Sequence, residues 1–216
     1  MKLHHCIAFA SAVCLVFSGL PAAAVTGSGI VCAESESVAG GLIYEKNADS
    51  VTIVCSDANL PSELVIPAEI EGLPVKSIAD DAFACCAGLV SVVIPEGVES
   101  VGNNAFCRCP HLKSVTFPDS VTSLGFAVLN SCSKLKTVIL PKNCTEIPIE
   151  MMSQCTELES ITIPEGVTKI SAGAFSGCEK LSEISIPDSV TEFEPWAFIL
   201  RPGFPRIAIR ITVFSS

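Results

Sequence analysis

Apolar residues recur along this chain with a period of 23 residues. Leucine opens each of five consecutive units and proline follows six residues later, as at Leu89 and Pro95 in the first. The later units repeat both positions, at Leu112 and Pro118, Leu135 and Pro141, Leu158 and Pro164, and Leu181 and Pro187. Apolar residues alternate three and five positions after each leucine, so the start of each unit is predicted to be a short strand with one inward face.

After its proline, each unit has a second pair of apolar residues and then two adjacent inward residues, which are a small and an aromatic residue in the first unit. Proline ends the strand because it cannot donate a hydrogen bond to a ladder. In the first unit Val98 and Val101 form the second pair, and Ala105-Phe106 fits a short helical turn packed inward. A fixed period of about 20–29 residues is typical of leucine-rich solenoids. The predicted fold is an α/β repeat solenoid: a leucine-rich repeat right-handed superhelix of about six 23-residue units, each a parallel strand plus a short helical turn.

The residues before the regular units predict a cap and an imperfect first repeat. Two β-prone runs, Leu42-Ile43-Tyr44 and Val51-Thr52-Ile53-Val54, flank a turn-rich group, so residues 42–61 are predicted to form an N-terminal β-hairpin cap. A terminal repeat needs a cap, because no neighbour covers its core. The leucine-rich repeat domain is predicted over 62–209, and its first copy has extra residues, Glu71-Gly72-Leu73-Pro74, that should bulge out as a loop.

The end of the chain begins a further unit. Phe204, Ile207 and Ile209 continue the Leu-x-x-Ile-x-Ile column in register, but Arg210 stands where proline is expected. Residues 210–216 are therefore interpreted as an incomplete or truncated terminal repeat. An uncovered last strand would leave an edge open to pairing with other chains, so either the product is truncated here or another element covers that edge.

The N-terminus has the pattern of a secretory signal peptide. Lys2 supplies a positive charge, an apolar run extends from Cys6 to Leu20, and small residues follow up to Ala24. Residues 1–24 are predicted to be the signal peptide, with cleavage after Ala33 as the alternative. The apolar run is shorter than the roughly 20 residues that cross a bilayer, so no membrane insertion is expected after cleavage. Residues 25–41 are small and polar and are predicted to be a flexible leader.

Composition and charge narrow the possible functions. Apolar residues make up 49% of the chain, enough to bury a core. The net charge is −10, from 23 acidic and 13 basic residues. Nucleic-acid binders need a basic stripe, so no nucleic-acid partner is expected.

The repeated pattern resembles the BspA-like class of leucine-rich repeats, also called the Treponema pallidum type. It reads Leu-x-x-Ile-x-Ile-Pro-x-x-Val-x-x-Ile-Gly-x-x-Ala-Phe-x-x-Cys, and residues 158–178 match it nearly throughout. The resemblance covers about 42–209. The copy at 135–157 departs most, with Cys144 for valine, Pro148 for glycine and Met151-Met152 for Ala-Phe, and is expected to pack more loosely. The resemblance implies a secreted or surface-attached protein of bacteria or protists that binds host proteins, adheres or co-aggregates, without catalysing a reaction.

Cysteines occupy one position of the repeat, at Cys86, Cys109, Cys132, Cys155 and Cys178. Twelve cysteines in an exported chain would ordinarily suggest disulfides. Neighbouring strands lie about 4.8 Å apart, within reach of a disulfide, but stacked side chains point the same way and five cannot pair evenly. The column is therefore predicted to be buried free thiols that fill space and contact backbone carbonyls.

Candidate chemistry outside this column is sparse. Cys107-x-Cys109-x-His111 could be a metal site, but zinc motifs use two spaced pairs of ligands. His111 is the only histidine left after signal cleavage, so a Ser-His or Cys-His nucleophile would have to use it, and a solvated loop histidine is the simpler interpretation. We expect no catalytic residues, no metal and no cofactor.

The outward strand positions are the best candidate for a binding face. They form two columns of mostly small or β-branched residues, which solenoids use as extended binding surfaces: Ser91, Ser114, Thr137, Ser160 and Glu183 in the first, and Val93, Thr116, Ile139, Thr162 and Ser185 in the second. The face should be nearly flat and about 20–25 Å long. The alternative is that such residues merely suit an exposed sheet.

The expected function is non-enzymatic: a secreted or cell-surface protein that mediates protein–protein contact or adhesion to a host. Its expected partners are host or neighbouring-cell proteins or glycoproteins. Two alternatives stay open, a structural spacer or decoy module without a dedicated ligand, and the binding part of a truncated larger surface enzyme.

Overall fold

A computed structural model describes the backbone of residues 36–38, 41–56, 60–198 and 210–211, and the side chains of 41–56 and 60–198. The signal-peptide prediction (1–24, or up to Ala33), most of the 25–41 leader, and residues 199–209 and 212–216 lie outside the described residues. No helix in the described segments is both long and apolar enough to span a bilayer.

The described backbone contains strands and turns. The strands are β1 (Glu36–Val38), β2 (Leu42–Lys46), β3 (Val51–Ser56), β4 (Glu63–Val65), β5 (Glu69–Ile70), β6 (Leu73–Ile78), β7 (Ser91–Val93), β8 (Ser100–Val101), β9 (Ser114–Thr116), β10 (Ser123–Leu124), β11 (Thr137–Ile139), β12 (Glu146–Ile147), β13 (Ser160–Thr162), β14 (Lys169–Ile170), β15 (Glu183–Ser185), β16 (Glu192–Phe193) and β17 (Arg210–Ile211).

Each repeat contributes two strands, one to each of two parallel ladders. The strand that opens each copy belongs to the front ladder, which runs β4-β7-β9-β11 and then β13-β15-β17. The strand after the proline belongs to the second ladder, which runs β6-β8-β10 and then β12-β14-β16. Partners are 23 residues apart throughout the regular copies, as in Val92↔Val115. The repeat solenoid is therefore confirmed in its period and its parallel stacking.

The expected short helix is replaced by hydrogen-bonded turns in the described copies. In five of the turns two residues, four apart, have positive φ, as at Asn104 (55°) and Arg108 (57°). Left-handed residues cannot continue a right-handed helix. Between them, N–H groups donate to the next copy, as from Phe106 to the Val128 carbonyl at 2.9 Å. The turns thus form a third ladder along the stack.

Antiparallel strands cover the first repeat. β2 and β3 form a hairpin, β1 pairs with β2 from within the range expected to be a leader, and β3 pairs in parallel with β6. The insertion expected as a loop is instead a second hairpin, β5-β6, since Glu71 (φ 51°) and Gly72 (φ 79°) form a two-residue turn. The Tyr44 hydroxyl donates to the Glu71 carboxylate at 2.9 Å and fastens this hairpin to the cap.

The core consists of stacked columns of inward side chains. Each opening leucine of the regular copies is buried, and so are the strand residues three and five positions later. Phe83 and Phe106, one repeat apart, stack with their ring centroids 5.1 Å apart. In the divergent copy Cys144, Met151 and Met152 are also buried, so its side chains fill the core despite the substitutions.

In the divergent copy at 135–157, it is the backbone hydrogen bonds to neighbouring copies that are reduced. In five copies the residue that directly follows the second strand donates its N–H to a carbonyl of the preceding copy. Examples are Gly125 to Val101 at 2.8 Å and Ser171 to Ile147 at 3.0 Å. Pro148 occupies that position and has no N–H. The second ladder is interrupted at this place, between β10 and β12, and the front ladder is interrupted one junction later, between β11 and β13.

The last strand pairs four residues away from the predicted register. Continuing the column would place Ile207 beside Ile184, whereas Ile184 pairs with Ile211 and Glu183 with Arg210. The sequence has isoleucine at positions 207, 209 and 211. A shift by an even number of residues fits this alternation equally well, so the pattern cannot distinguish the two registers. The predicted boundary between residues 209 and 210 therefore falls immediately before β17.

Candidate binding face

The two predicted columns lie side by side on the front strands. In the first, Ser91, Ser114 and Thr137 are register partners, and Ser160 partners Glu183. In the second, Val93, Thr116 and Ile139 are partners, and Thr162 partners Ser185. All ten side chains are at least partly exposed, because strand alternation turns their neighbours Val92, Val115, Val138, Ile161 and Ile184 into the core.

The face extends one row further than predicted. Glu63 pairs with Ser91 and Val65 with Val93, so β4 adds a sixth row. Val65 is 68% exposed, against 46% for Val93 and 54% for Ile139. The alternation of Leu64 and Ile66 was the available signal for this row, but the insertion at β5-β6 moves these residues out of the 23-residue period.

The hydrogen-bonded ladder that carries the face is not continuous. The front ladder stops between Ile139 and Thr162 and resumes with β13 and β15. An open cavity of about 400 Å³ lies there, lined by residues of both strands and by Lys136 and Lys142. The predicted face is thus two sheet segments with an opening between them.

Ion pairs link successive copies of the repeat. Lys142 contacts Asp119 at 2.8 Å and Lys180 contacts Glu157 at 2.7 Å, each across 23 residues. The hydrogen bond from Lys142 holds the pKa of Asp119 below its usual range, and Lys180 does the same for Glu157. These carboxylates stay ionised, and exposed pairs of this kind contribute little to stability because water and salt screen them.

Four of the five cysteines in the column are buried and bonded to the backbone. The thiols of Cys109, Cys155 and Cys178 donate to the carbonyls of Phe83, Leu129 and Met152 at 3.1, 3.2 and 3.1 Å. Cys132 makes the same contact one copy along, while Cys86 is half-buried beside the Ser56 hydroxyl at 3.3 Å. All five are free thiols. Burial raises the pKa of Cys178 to about 12, so at neutral pH its thiol is an inert core group.

The Cys107-x-Cys109-x-His111 motif does not converge on one point. Cys109 is buried and bonded to the Phe83 carbonyl, whereas His111 is exposed to solvent. Within 41–56 and 60–198, no group of three or more histidine, cysteine, aspartate or glutamate side chains is placed to hold a metal ion.

Solved structures share the repeat architecture. The chain is similar to the leucine-rich repeat protein of T. pallidum, with 26% identity and a TM-score of 0.65, over 74% of this chain and 81% of that one. It is also similar to a leucine-rich repeat protein of Eubacterium ventriosum, with 21% identity and a TM-score of 0.63, over 82% of this chain and 52% of that one. No curated protein sequence is significantly similar to it.

The repeats also match a defined sequence family. Residues 76–201 fit the BspA type leucine rich repeat region in six copies, which is more than half of the chain. The ladders described above follow the same period, and the chain belongs to the family of BspA-type leucine-rich repeat proteins.

Proposed function

We propose that this protein is a secreted or cell-surface binding module that mediates adhesion by holding host or neighbouring-cell proteins or glycoproteins on its front face. The observation that carries this proposal is the exposed double column from Glu63 and Val65 to Glu183 and Ser185. Its residues are held in register by ladders that leave both columns open to solvent. Extended solenoid faces of this kind are general protein-binding surfaces.

The composition of the face suits repeated weak contacts. Its exposed β-branched apolar residues, Val65, Val93 and Ile139, lie among hydroxyl side chains that donate and accept hydrogen bonds. Tryptophan, tyrosine and arginine, the usual binding hot spots, do not occur in the rows from Glu63 and Val65 to Glu183 and Ser185. Affinity for one partner should therefore come from several rows together.

We propose binding without catalysis. His111, the histidine on which a nucleophilic pair would depend, is exposed, and the nearby Cys109 thiol is buried and bonded to a carbonyl. The extracellular location is proposed from the predicted signal peptide at residues 1–24, with Lys2 before the apolar run.

Two triple variants test the face against the rest of the surface. Thr116→Glu, Thr137→Glu and Thr162→Glu place carboxylates on three front rows. Thr122→Glu, Thr145→Glu and Thr168→Glu place the same charges on exposed threonines that directly precede the second strands in the same three copies. A binding module loses its partner with the first triple only, whereas a spacer without a ligand is indifferent to both.

A further inference from the structure

Two cysteines outside the buried column lie next to each other across the first junction of the turns. The Cys85 N–H donates to the Cys107 carbonyl at 2.8 Å, which places the two residues in adjacent turns of the third ladder. Adjacent chains in a parallel stack lie about 4.8 Å apart, inside the roughly 4.4–6.8 Å between Cα atoms that a disulfide spans. The backbone therefore holds this pair at a separation that a disulfide can bridge.

The other copies show where side chains at these two positions lie. Cys85 belongs to the same column as Ser131 and Gln154, and Cys107 belongs to the column of Asn130. The Ser131 hydroxyl donates to the Asn130 amide oxygen at 2.6 Å. Side chains of the two columns therefore meet, which side chains stacked within one column and pointing the same way do not.

Side chains of the Cys85 column also extend toward the next copy. A Cβ added at Gly177 would clash with the amide group of Gln154, one copy earlier in that column. Extending the same way, Cys85 approaches Arg108, its equivalent in the next copy, and Cys107 directly precedes Arg108. The geometry of the two columns thus directs both thiols to one place on the stack.

Both thiols are accessible to a reactant in solvent, unlike the column beside them. Cys85 is exposed and Cys107 is half-buried, whereas Cys109, Cys132 and Cys155 are buried. Oxidation of a cysteine depends on access to its sulfur. A dissolved oxidant therefore reaches this pair before it reaches the core.

We propose that Cys85 and Cys107 form a disulfide when the protein meets a low-molecular-weight disulfide as oxidant. The Cys85 thiolate attacks one sulfur of the oxidant, forms a mixed disulfide and releases the other half as a thiolate. The Cys107 thiolate then attacks the Cys85 sulfur and releases the second half. The two cysteines together lose two protons and two electrons, and the oxidant is reduced to two thiols.

The bond connects the first repeat covalently to the first regular copy. It closes a loop one repeat long, and a cross-link of this kind stabilises a fold by restricting the unfolded chain. The capped end of the solenoid is thereby stabilised under oxidising conditions, while the buried thiols of the column stay reduced. The inference goes beyond the proposed function and does not depend on what the front face binds.

Peptide mapping tests the bond directly. The reduced full chain is incubated with oxidised glutathione, alkylated under denaturing conditions, and digested with trypsin and an endoprotease that cleaves after glutamate. Residues 100–108 then carry Cys107 alone, and residues 77–96 carry Cys85 and Cys86. We expect mass spectrometry to find these two peptides joined through Cys85 in the oxidised protein and separate after reduction.

Serine variants assign the two partners. Serine already occurs in both columns, at Ser131 and Ser153, so the fold accepts it at either position. Cys85→Ser and Cys107→Ser should each abolish the joined peptide. Cys55→Ser alters an exposed cysteine of the cap and is the matched control, which should retain the joined peptide.

Urea unfolding measures the effect of the bond on stability. The oxidised wild type should unfold at a urea midpoint about 1 M higher than the reduced wild type, because the cross-link restricts the unfolded chain. The two redox states of one protein are compared, so a changed basal stability in a variant does not alter the result. Cys107→Ser should show no difference between oxidising and reducing conditions.

Four results would overturn the inference. They are the absence of the joined peptide, its formation through Cys86 or Cys55 instead of Cys85, a mixed disulfide with glutathione that persists on Cys85, and an oxidised wild type whose urea midpoint equals that of the reduced protein.

Discussion

The thiol of Cys132 donates a hydrogen bond to the carbonyl oxygen of Phe106, 3.1 Å away and 26 residues earlier in the chain. This contact joins the end of one turn to the turn of the preceding copy. The same geometry recurs at Cys109, Cys155 and Cys178, so the column links four junctions of the stack through side chains as well as through backbone ladders.

Cys132→Ala should therefore destabilise the fold. The change removes a buried donor and leaves a small void, which together cost about 1–3 kcal/mol. Urea unfolding measures the loss. Cys55→Ala, at an exposed cysteine, is the matched control and should shift stability by less than about 0.5 kcal/mol. Equal effects of the two substitutions would contradict a structural role for the column.

Stability should fall as the solution becomes alkaline. Burial raises the pKa of Cys144 from 9.0 to about 11, so between these values the folded chain keeps a proton that the unfolded chain has lost. The stability associated with this thiol is present below pH 9 and is lost as pH rises towards 11. Cys144→Val, which restores the residue found at Val121 and Val167, should give a shallower decline of the urea midpoint over this range. An unchanged slope would contradict the burial of the thiol.

Hydrogen exchange should locate the interruption at Pro148. The amides of Thr122 and Thr168 bond to the preceding copy at 3.0 and 2.9 Å, whereas Thr145 lies at the interrupted junction. The Thr145 amide is expected to exchange at least tenfold faster than the other two. Slow exchange at all three would mean that the second ladder is intact.

Pro148→Ser should slow exchange at Thr145 with little change in overall stability. The restored hydrogen bond contributes about 0.5–1.5 kcal/mol, and the added freedom of the unfolded chain removes about 0.4–1 kcal/mol. Serine is suitable because Ser171 occupies this position in the next copy. The substitution Ala172→Ser, one residue beyond that column, serves as the control and should leave Thr145 exchange unaltered.

Glu150→Gly should stabilise the protein. Glu150 has φ 53° where the next copy has Gly173 at 67°, and a left-handed conformation costs a residue other than glycine about 1–2 kcal/mol. Glycine also gains freedom in the unfolded state, which offsets about 0.4–1 kcal/mol, so the net gain is up to about 1 kcal/mol in thermal or urea unfolding. Glu165→Gly, an exposed position without positive φ, should not stabilise.

The repeating part of the fold could be predicted from the sequence because burial repeats with it. Leu89, Val92 and Ile94 recur every 23 residues and are all buried, so period and alternation together determine the strand, its inward face and its partner. The cysteine column follows from the same register, and so do its contacts with backbone carbonyls.

The turns were harder to predict, because their amino-acid composition does not indicate their backbone conformation. Ala105-Phe106 is compatible with an inward helical turn, yet Asn104 and Arg108 have left-handed backbone conformations. Most copies lack the glycines that would indicate a left-handed conformation at these positions. Gly173 and Gly177, both with positive φ, were the one visible sign. The helix was predicted from inward-facing residues alone, which a compact turn satisfies equally well.

The opening in the candidate face depends on hydrogen bonds that side-chain patterns do not encode. Thr137 and Ser160 resemble the residues of the paired rows, so their columns appear continuous in the sequence. The sequence shows Pro148 in place of glycine. Its effect is the loss of a hydrogen bond in the second ladder, which can be predicted only when the donor at this position is known to bond the preceding copy. The last strand shows the same limit, since an alternating run permits Ile207 or Ile211 beside Ile184.

The most direct test of the front face is surface plasmon resonance over immobilised host extracellular proteins and mucins. Three proteins are compared: the wild type, the front triple (Thr116→Glu, Thr137→Glu, Thr162→Glu) and the second-strand triple (Thr122→Glu, Thr145→Glu, Thr168→Glu). We predict that at least one immobilised component binds the wild type and the second-strand triple equally and binds the front triple at least tenfold more weakly, a difference of about 1.4 kcal/mol or more. Equal binding of all three proteins, or no binding by the wild type to any component, would contradict the account.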